Sequence, residues 1–292
     1  MRSIKELNMK IKHITLSSYN PKWSEIFAAE ADHIRKALTH HVVDIHHIGS
    51  TSIPGLAAKE NIDICFVIDD LKNSMALTEV GYVFKGEMNI PLRNYFSKNS
   101  DVSRVNLHVV EPGHHFIAIN QYFIKALCTN DALRIAYQEL KTRLANDPVN
   151  FERVSGRFPR YTLEKHRFIN DVLDAAGYDT LGVVCCTHYR EWQAYHRIQA
   201  EQIFTPIGVK YDSDHPTLTD PNHHHFLLLR GTTIVSVAHI EFLNNHEAAL
   251  RSLATDEPFK RKGYARHLMA FLERWLTHQD RGIIKMHAKY HD

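Results

Sequence analysis

HIGSTSIPGLAAKENIDICF, residues 47–66, decides how the first half of the chain is read. An apolar, β-branched run ends at Gly49-Ser50, passes a Pro54-Gly55 turn and resumes as IDICFVI (62–68), which carries one carboxylate, Asp63. A continuous apolar run of that length predicts a strand buried on both faces, so the single acid within it needs a reason. Phosphate chemistry supplies one. A Gly-Ser turn lets backbone amides and a hydroxyl approach phosphate oxygens, and a carboxylate on the neighbouring strand can hold Mg²⁺ that bridges them. The bland reading fits the same residues: Asp63 accepts hydrogen bonds from the loop, and Ser50 closes the turn.

The surrounding pattern is α/β. Upstream, Asn20-Pro21 is a cap followed by proline at the first helical position. Trp23, Ile26, Phe27, Ile34 and Leu38 recur at helical spacing, which predicts a helix over 21–39 and then a strand, VVDIHHI (42–48). Downstream, Asp69 and Asp70 open a helix at about 70–79. Strands follow at 81–86, 93–98 and 104–111. Residues 114–146 read as two helices breaking near Thr129-Asn130, and a last helix through TLEKHRFINDVLDAA stops at Gly177. The pattern resets after the linker GYDTLG (177–182): strand VVCCT, helix 189–204, a loop-rich stretch 205–225, a hairpin turning at Gly231-Thr232, strand 247–255, helix 263–278 and strand 282–288. The expectation is two α/β (α+β) domains, 1–178 and 183–292.

Bulk properties narrow the function. With 292 residues the chain is long enough for two ordinary domains. No apolar run approaches the roughly 18 residues of a membrane span, the start MRSIKELNMKIKHI has no secretory pattern, and the four cysteines lack paired spacing. A reduced, cytoplasmic protein without a membrane partner is therefore expected. A net charge of +2 gives no global reason to expect nucleic acid. His223, His224 and His225 are consecutive, but neighbours on a strand face opposite ways, so the three cannot share one metal ion.

In the first half, YNPKWSEIFAAEA, HIGSTSIPGLAAK, IDI, GYVFKGE, RNYF, LHVVE and the helix around YTLEKHRFI occur in order over residues 12–176 and resemble the GrpB family. That resemblance implies a nucleotidyltransferase-like mixed sheet with helices, and a phosphate or nucleotide site at Gly49, Ser50, Lys59 and Arg93. Asp63 would be the catalytic carboxylate and metal ligand, with Mg²⁺ as its ion. Active nucleotidyltransferases place a second acid two residues later. Here that position is Cys65, a poor ligand for a hard cation, so His108 or Glu111 would have to complete the site. Binding is favoured over turnover.

The second half carries KRKGYA (260–265) at a helix start. A helix N-terminus presents unpaired amides and a positive dipole end. Gly263 and Ala265 permit close approach there, and Lys260, Arg261 and Lys262 add charge that would be unfavourable without a bound anion. LATDEPFKRKGYARHLM (253–269) and the hairpin before it resemble the GNAT acetyltransferases. The resemblance implies a mixed sheet with helices and acetyl-CoA as co-substrate, its pyrophosphate on the 260–265 loop, Tyr264 included. Its pantetheine would lie along Leu253, Ala254 and Thr255, with Glu241 as base for an amine acceptor. It also implies a further helix and strand after IIKMHA, which the sequence does not supply. The sheet is thus expected to be cut short at its C-terminal end, open to a homodimer partner, with Tyr290 too early for the family's thiolate-protonating tyrosine.

The leading expectation is a GrpB-like, phosphate- or nucleotide-binding domain fused to a GNAT-type N-acyltransferase acting on a small-molecule amine. The alternatives are a non-catalytic nucleotide- and CoA-sensing module, or a Mg²⁺-dependent nucleotidyltransferase in the first half.

Overall fold

The computed structural model describes residues 14–38, 41–99, 103–154 and 158–286; Tyr290 lies outside them. Two mixed five-stranded sheets with helices form the α/β architecture expected from the sequence. The chain divides into two compact units that do not simply follow chain order. Residues 85–94 and 113–116 belong with 177–292 in unit 2, and the remainder forms unit 1. The expected boundaries, 1–178 and 183–292, assign those two short segments to the first domain. Among the described residues no helix is long and apolar enough to cross a membrane.

Unit 1 opens with helix α1 (Lys22–Leu38), whose first amide bonds Asn20 Oδ1 at 3.1 Å. Strands β1 (Val42–Ile48), β2 (Asn61–Ile68), β3 (Val83–Phe84), β4 (Arg93–Asn99) and β5 (Arg104–Val110) follow in order along the chain. In the sheet they run β1-β2-β5-β4-β3, with β2 antiparallel to β1 and parallel to β5. The inner place of β2 explains its apolar run: Ile62, Ile64, Cys65, Phe66, Val67 and Ile68 are all buried. Helices α2 (His115–Thr129) and α3 (Asp131–Asn146) break at Asn130, whose side chain caps α3 through the Leu133 amide. A small hairpin, β6 (Arg153–Val154) with β7 (Phe158–Pro159), leads to α4 (Arg160–Leu163) and α5 (His166–Ala175). Ile53, Leu56, Leu127, Tyr137 and Val172 form one core cluster of this unit.

Three elements of unit 1 differ from the sequence expectation. Residues 71–80 are a 3₁₀ segment, because Ser74 and Thr78 hydroxyls bond carbonyls three residues back and compete with α-helical pairing. The strand expected at 81–86 contracts to Val83–Phe84 between Gly81 and Gly86, both left-handed. The closing helix is interrupted between Leu163 and His166.

Unit 2 contains β8 (Leu181–Cys185), α6 (Tyr189–Gln199), β9 (His223–Arg230), β10 (Thr233–Phe242), β11 (Glu247–Thr255), α7 (Tyr264–His278) and β12 (Ile283–Met286). The sheet order is β12-β11-β10-β9-β8, with β11 and β12 parallel across the α7 crossover. The helix expected over 189–204 ends at Gln199. A π-helical turn (Ala200–Phe204) and a proline-led 3₁₀ turn (Thr205–Ile207) replace its last part. Below the sheet, Trp275 packs on Phe226 and Phe242 and donates its indole N–H to Glu87 Oε2 at 2.8 Å. Glu87 Oε1 accepts from the Leu92 amide at 2.7 Å. Burial pushes the Glu87 carboxyl up, and the Trp275 bond opposes that shift.

Trp275→Phe keeps the ring but strands one oxygen of a buried carboxylate. It is expected to lower stability in urea denaturation by about 1–3 kcal/mol, whereas Phe271→Leu on the same helix should lower it less.

Candidate functional site

In unit 1 the Gly49-Ser50 turn and Asp63 meet directly. Ile48 pairs with Asp63 across β1 and β2, so the next residue, Gly49, crosses the face of the carboxylate. Gly49 is left-handed at φ +72, and a Cβ there would lie 2.5 Å from Asp63 Oδ2. Only glycine fits. Asn106, opposite Asp63 on β5, donates from Nδ2 to Oδ1 at 2.8 Å. Asn106 Oδ1 accepts from the Tyr95 hydroxyl at 2.8 Å and from Arg104 Nε at 3.1 Å.

Lysines from three further places in the chain gather around the loop between β1 and β2 and its neighbours. Lys59 Nζ stands 4.1 Å, and Lys165 Nζ 4.7 Å, from the centre of the Tyr161 ring. Lys141 on α3 is buried, donates to the Ala57 carbonyl and lies 4.9 Å from the Tyr137 ring. Tyr137 shares a side-chain hydrogen bond with Ser50. Some surface of Asp63 stays open, yet its carboxylate is closely enclosed. Burial pushes it up to about 6, against the Asn106 bond and the charges of Lys165, Arg104 and Lys59. Burial and the neighbouring Lys59 bring Lys165 down to about 8; burial and Lys165 bring Lys141 down to about 7.

The expected residues divide. Gly49, Ser50, Lys59 and Asp63 come together. His108 shares their sheet face two residues beyond Asn106, its ring 5.1 Å from that of Tyr95. Glu111 does not join them. It lies past the end of β5, about 16 Å along the strand from Asn106, and accepts from the Leu71 amide. Arg93 belongs to unit 2, where it is buried, donates to the Glu87 carbonyl and faces the Phe116 ring. Among the described residues no group of three His, Cys, Asp or Glu is placed to hold a metal ion. The donors around Asp63, chiefly ammonium, amide and phenol groups, do not fit Mg²⁺. Sequence reasoning missed Asn106, Lys141, Lys165, Tyr137 and Tyr161. The signal was Tyr-x-x-x-Lys, present twice at 137–141 and 161–165, a spacing that puts both side chains on one helical face.

In unit 2, β11 leads into the basic loop. Asp256 ties the start of that loop to α6 through Arg197, at 2.7 and 2.9 Å, and caps the Glu257–Phe259 turn. Lys260 pairs with Glu257, and Lys262 donates to the Pro258 carbonyl at 3.1 Å. Arg261 is exposed and left-handed at φ +62, a costly conformation for a side chain with a Cβ. Gly263 is left-handed at φ +84, with open space where its Cβ would be. No side chain caps α7, and its first turn holds no acid. Among the described residues β11 pairs with β12 only over Glu247–Leu250, so Leu253, Ala254 and Thr255 have no strand partner on that edge.

Glu241 on β10 is held by Arg251 Nε, and its other oxygen is 4.0 Å from His223 Nε2. A chain of rings continues from there. His223 bonds His239 at 2.7 Å, His239 stacks on His225, and His225 Nδ1 lies 2.9 Å from the Tyr195 hydroxyl. His224 points to the other face, against Phe242 and Trp275, as strand alternation requires. Burial, reinforced by His225 and His223, holds His239 down at about 3, so it is neutral at pH 7.

Comparison with known proteins follows the two parts of the chain. The family model "GrpB protein" matches residues 13–175, more than half of the chain, and "Acetyltransferase (GNAT) family" matches 184–291. A UPF0157 protein of Halalkalibacterium halodurans is 33% identical over 147 residues, covering 49% of this chain and 75% of that one. UPF0157 protein YqkA of Bacillus subtilis is 32% identical over 138 residues, covering 46% of this chain; the match spans only 40% of YqkA. The crystal structure of conserved protein GrpB from Enterococcus faecalis aligns with a TM-score of 0.48 and 26% identity, over 56% of this chain and 96% of that one.

Asp63 is expected to titrate near pH 6 in ¹³C NMR of its carboxyl group, and Asn106→Ala should raise that value, because the lost bond favoured the ionised form. The folded carboxyl holds its proton more tightly than the unfolded one. Lowering pH from above 6 toward 4 should therefore stabilise the fold through this group.

Proposed function

The chain belongs to the GrpB family, and we propose that it joins a phosphate- or nucleotide-binding unit of that family to an acetyltransferase-like unit that transfers acetyl from acetyl-CoA to an amine. The observation that carries the transferase reading is the run from β11 into an uncapped helix. Backbone donors of Gly263, Tyr264 and Ala265 stand where α7 begins, with exposed Arg261 beside them. An anion there completes hydrogen bonds that nothing else in the first turn supplies. The GNAT family match over this stretch supports a pyrophosphate as that anion and the β11 edge at Leu253–Thr255 as the track of the pantetheine arm.

The chemistry asks little more of the protein. A neutral amine attacks the thioester carbonyl; the new C–N bond forms, the C–S bond breaks, and the amine proton must leave while the thiolate gains one. Glu241 is the carboxylate we assign to the amine proton. Arg251 Nε holds one of its oxygens, and His223 Nε2 stands 4.0 Å from the other. The amine is a small-molecule acceptor, for which Asp212, Asp214 and Asp220 in the 205–225 segment offer negative charge.

Coenzyme A is expected to raise the melting temperature of the full chain. Arg261→Ala should weaken its binding by roughly tenfold in calorimetry, consistent with losing one charge-assisted contact. Glu241→Gln should leave coenzyme A binding unchanged while slowing thiol release from acetyl-CoA with an accepting amine by about 10²-fold or more. An Arg261→Ala protein that binds coenzyme A as the wild type does would remove the basis for this reading.

A further inference from the structure

We propose that the Ser50–Asp63 site binds its phosphorylated small molecule with lysine ammonium groups instead of a divalent metal ion. The proposal rests on the phosphate reading of unit 1 and adds how the charge is met.

One oxygen of Asp63 is hydrogen-bonded and the other is crowded by backbone. Oδ1 accepts from Asn106 at 2.8 Å, and the Gly49 backbone crosses Oδ2 so closely that a Cβ would sit 2.5 Å away. The next residue on that face of β2 is the thiol of buried Cys65, and the facing position on β5 is His108. A magnesium ion prefers an octahedron of oxygens with carboxylates among them, and among the described residues no group of three His, Cys, Asp or Glu is placed to hold one.

The same residues suit an anion. Lys59 and Lys165 converge on one ring, Tyr161, at 4.1 and 4.7 Å, and both retain surface. Among the described residues neither ammonium has a carboxylate within the 4.0 Å of an ion pair, whereas Lys98, Lys260 and Lys285 each do. Lys141 lies next to the Tyr137 phenol that bonds Ser50 and donates to the Ala57 carbonyl. Lys59 and Lys165 repel each other, as do Lys165 and Lys141, and each pair lowers the proton affinity of a member. Like charges held this close together are unfavourable unless an anion lies between them. A phosphate dianion reverses the sign of that interaction and can accept from the half-buried Lys59 and Lys165 ammonium groups and the Ser50 hydroxyl. The ligand class is therefore a phosphate monoester or polyphosphate, free of metal when bound.

Calorimetric titration of the full chain with inorganic pyrophosphate, once in EDTA and once in excess Mg²⁺, tests this. The signal belonging to the site is the part lost in Lys165→Gln and in Lys59→Gln, which separates it from binding at the α7 loop; circular dichroism melts confirm that both variants fold. The expected result is a component present in EDTA, at least as strong as in Mg²⁺, and weakened about tenfold or more in each variant. A lysine-dependent component that appears only with Mg²⁺ would overturn metal-free binding and leave the phosphate reading standing. No lysine-dependent component in either buffer would overturn both.

Discussion

The close passage of the Gly49 backbone over the Asp63 carboxylate fixes the geometry of unit 1. A left-handed glycine with no Cβ lets β1 turn away immediately after Ile48, so that the Ser50–Ser52 turn lands above β2 rather than beyond it. The carboxylate is thereby sealed on one side, and its enclosure raises its proton affinity. Asn106 and the lysine groups then become necessary counterweights. Deep burial of a lone acid without them would leave it largely protonated.

That arrangement carries a balance of charge different from the one expected from the sequence. In the reading from sequence, one acid followed by Cys65 looked like an incomplete metal site awaiting a ligand from elsewhere. The structure supplies cations instead of the missing ligand. Lys59 comes from the loop before β2, Lys141 from α3 and Lys165 from the break between α4 and α5. The interruption of the last helix at 164–165 matters here, because it is where the Lys165 side chain leaves to stack on Tyr161.

Unit 2 rests on a different constraint, the unsatisfied start of α7. Asp256 is occupied with Arg197 and its own turn, Lys260 with Glu257, and Lys262 with a carbonyl, so the loop is ordered by internal bonds while its amides stay uncapped. Residues 85–94 and 113–116 pack into this unit as well, and Glu87 anchors Trp275 beneath the sheet. A boundary drawn between 178 and 183 would separate those groups from the helix they steady.

The sequence by itself determined most of the strands in the two large sheets, the Gly231 hairpin, the Asn130 break, the Gly-Ser turn with its acid, and the basic glycine loop. Each is written in residues adjacent along the chain, where backbone sterics and hydrophobic period act locally. Only tertiary structure decided that Glu111 bonds the Leu71 amide away from Asp63, that Arg93 packs with Glu87 and Phe116, that Lys165 stands near Asp63, and that Glu241 is tied to Arg251. These are meetings between elements distant in sequence, and the strength of charge interactions depends on separations and burial that no local pattern specifies.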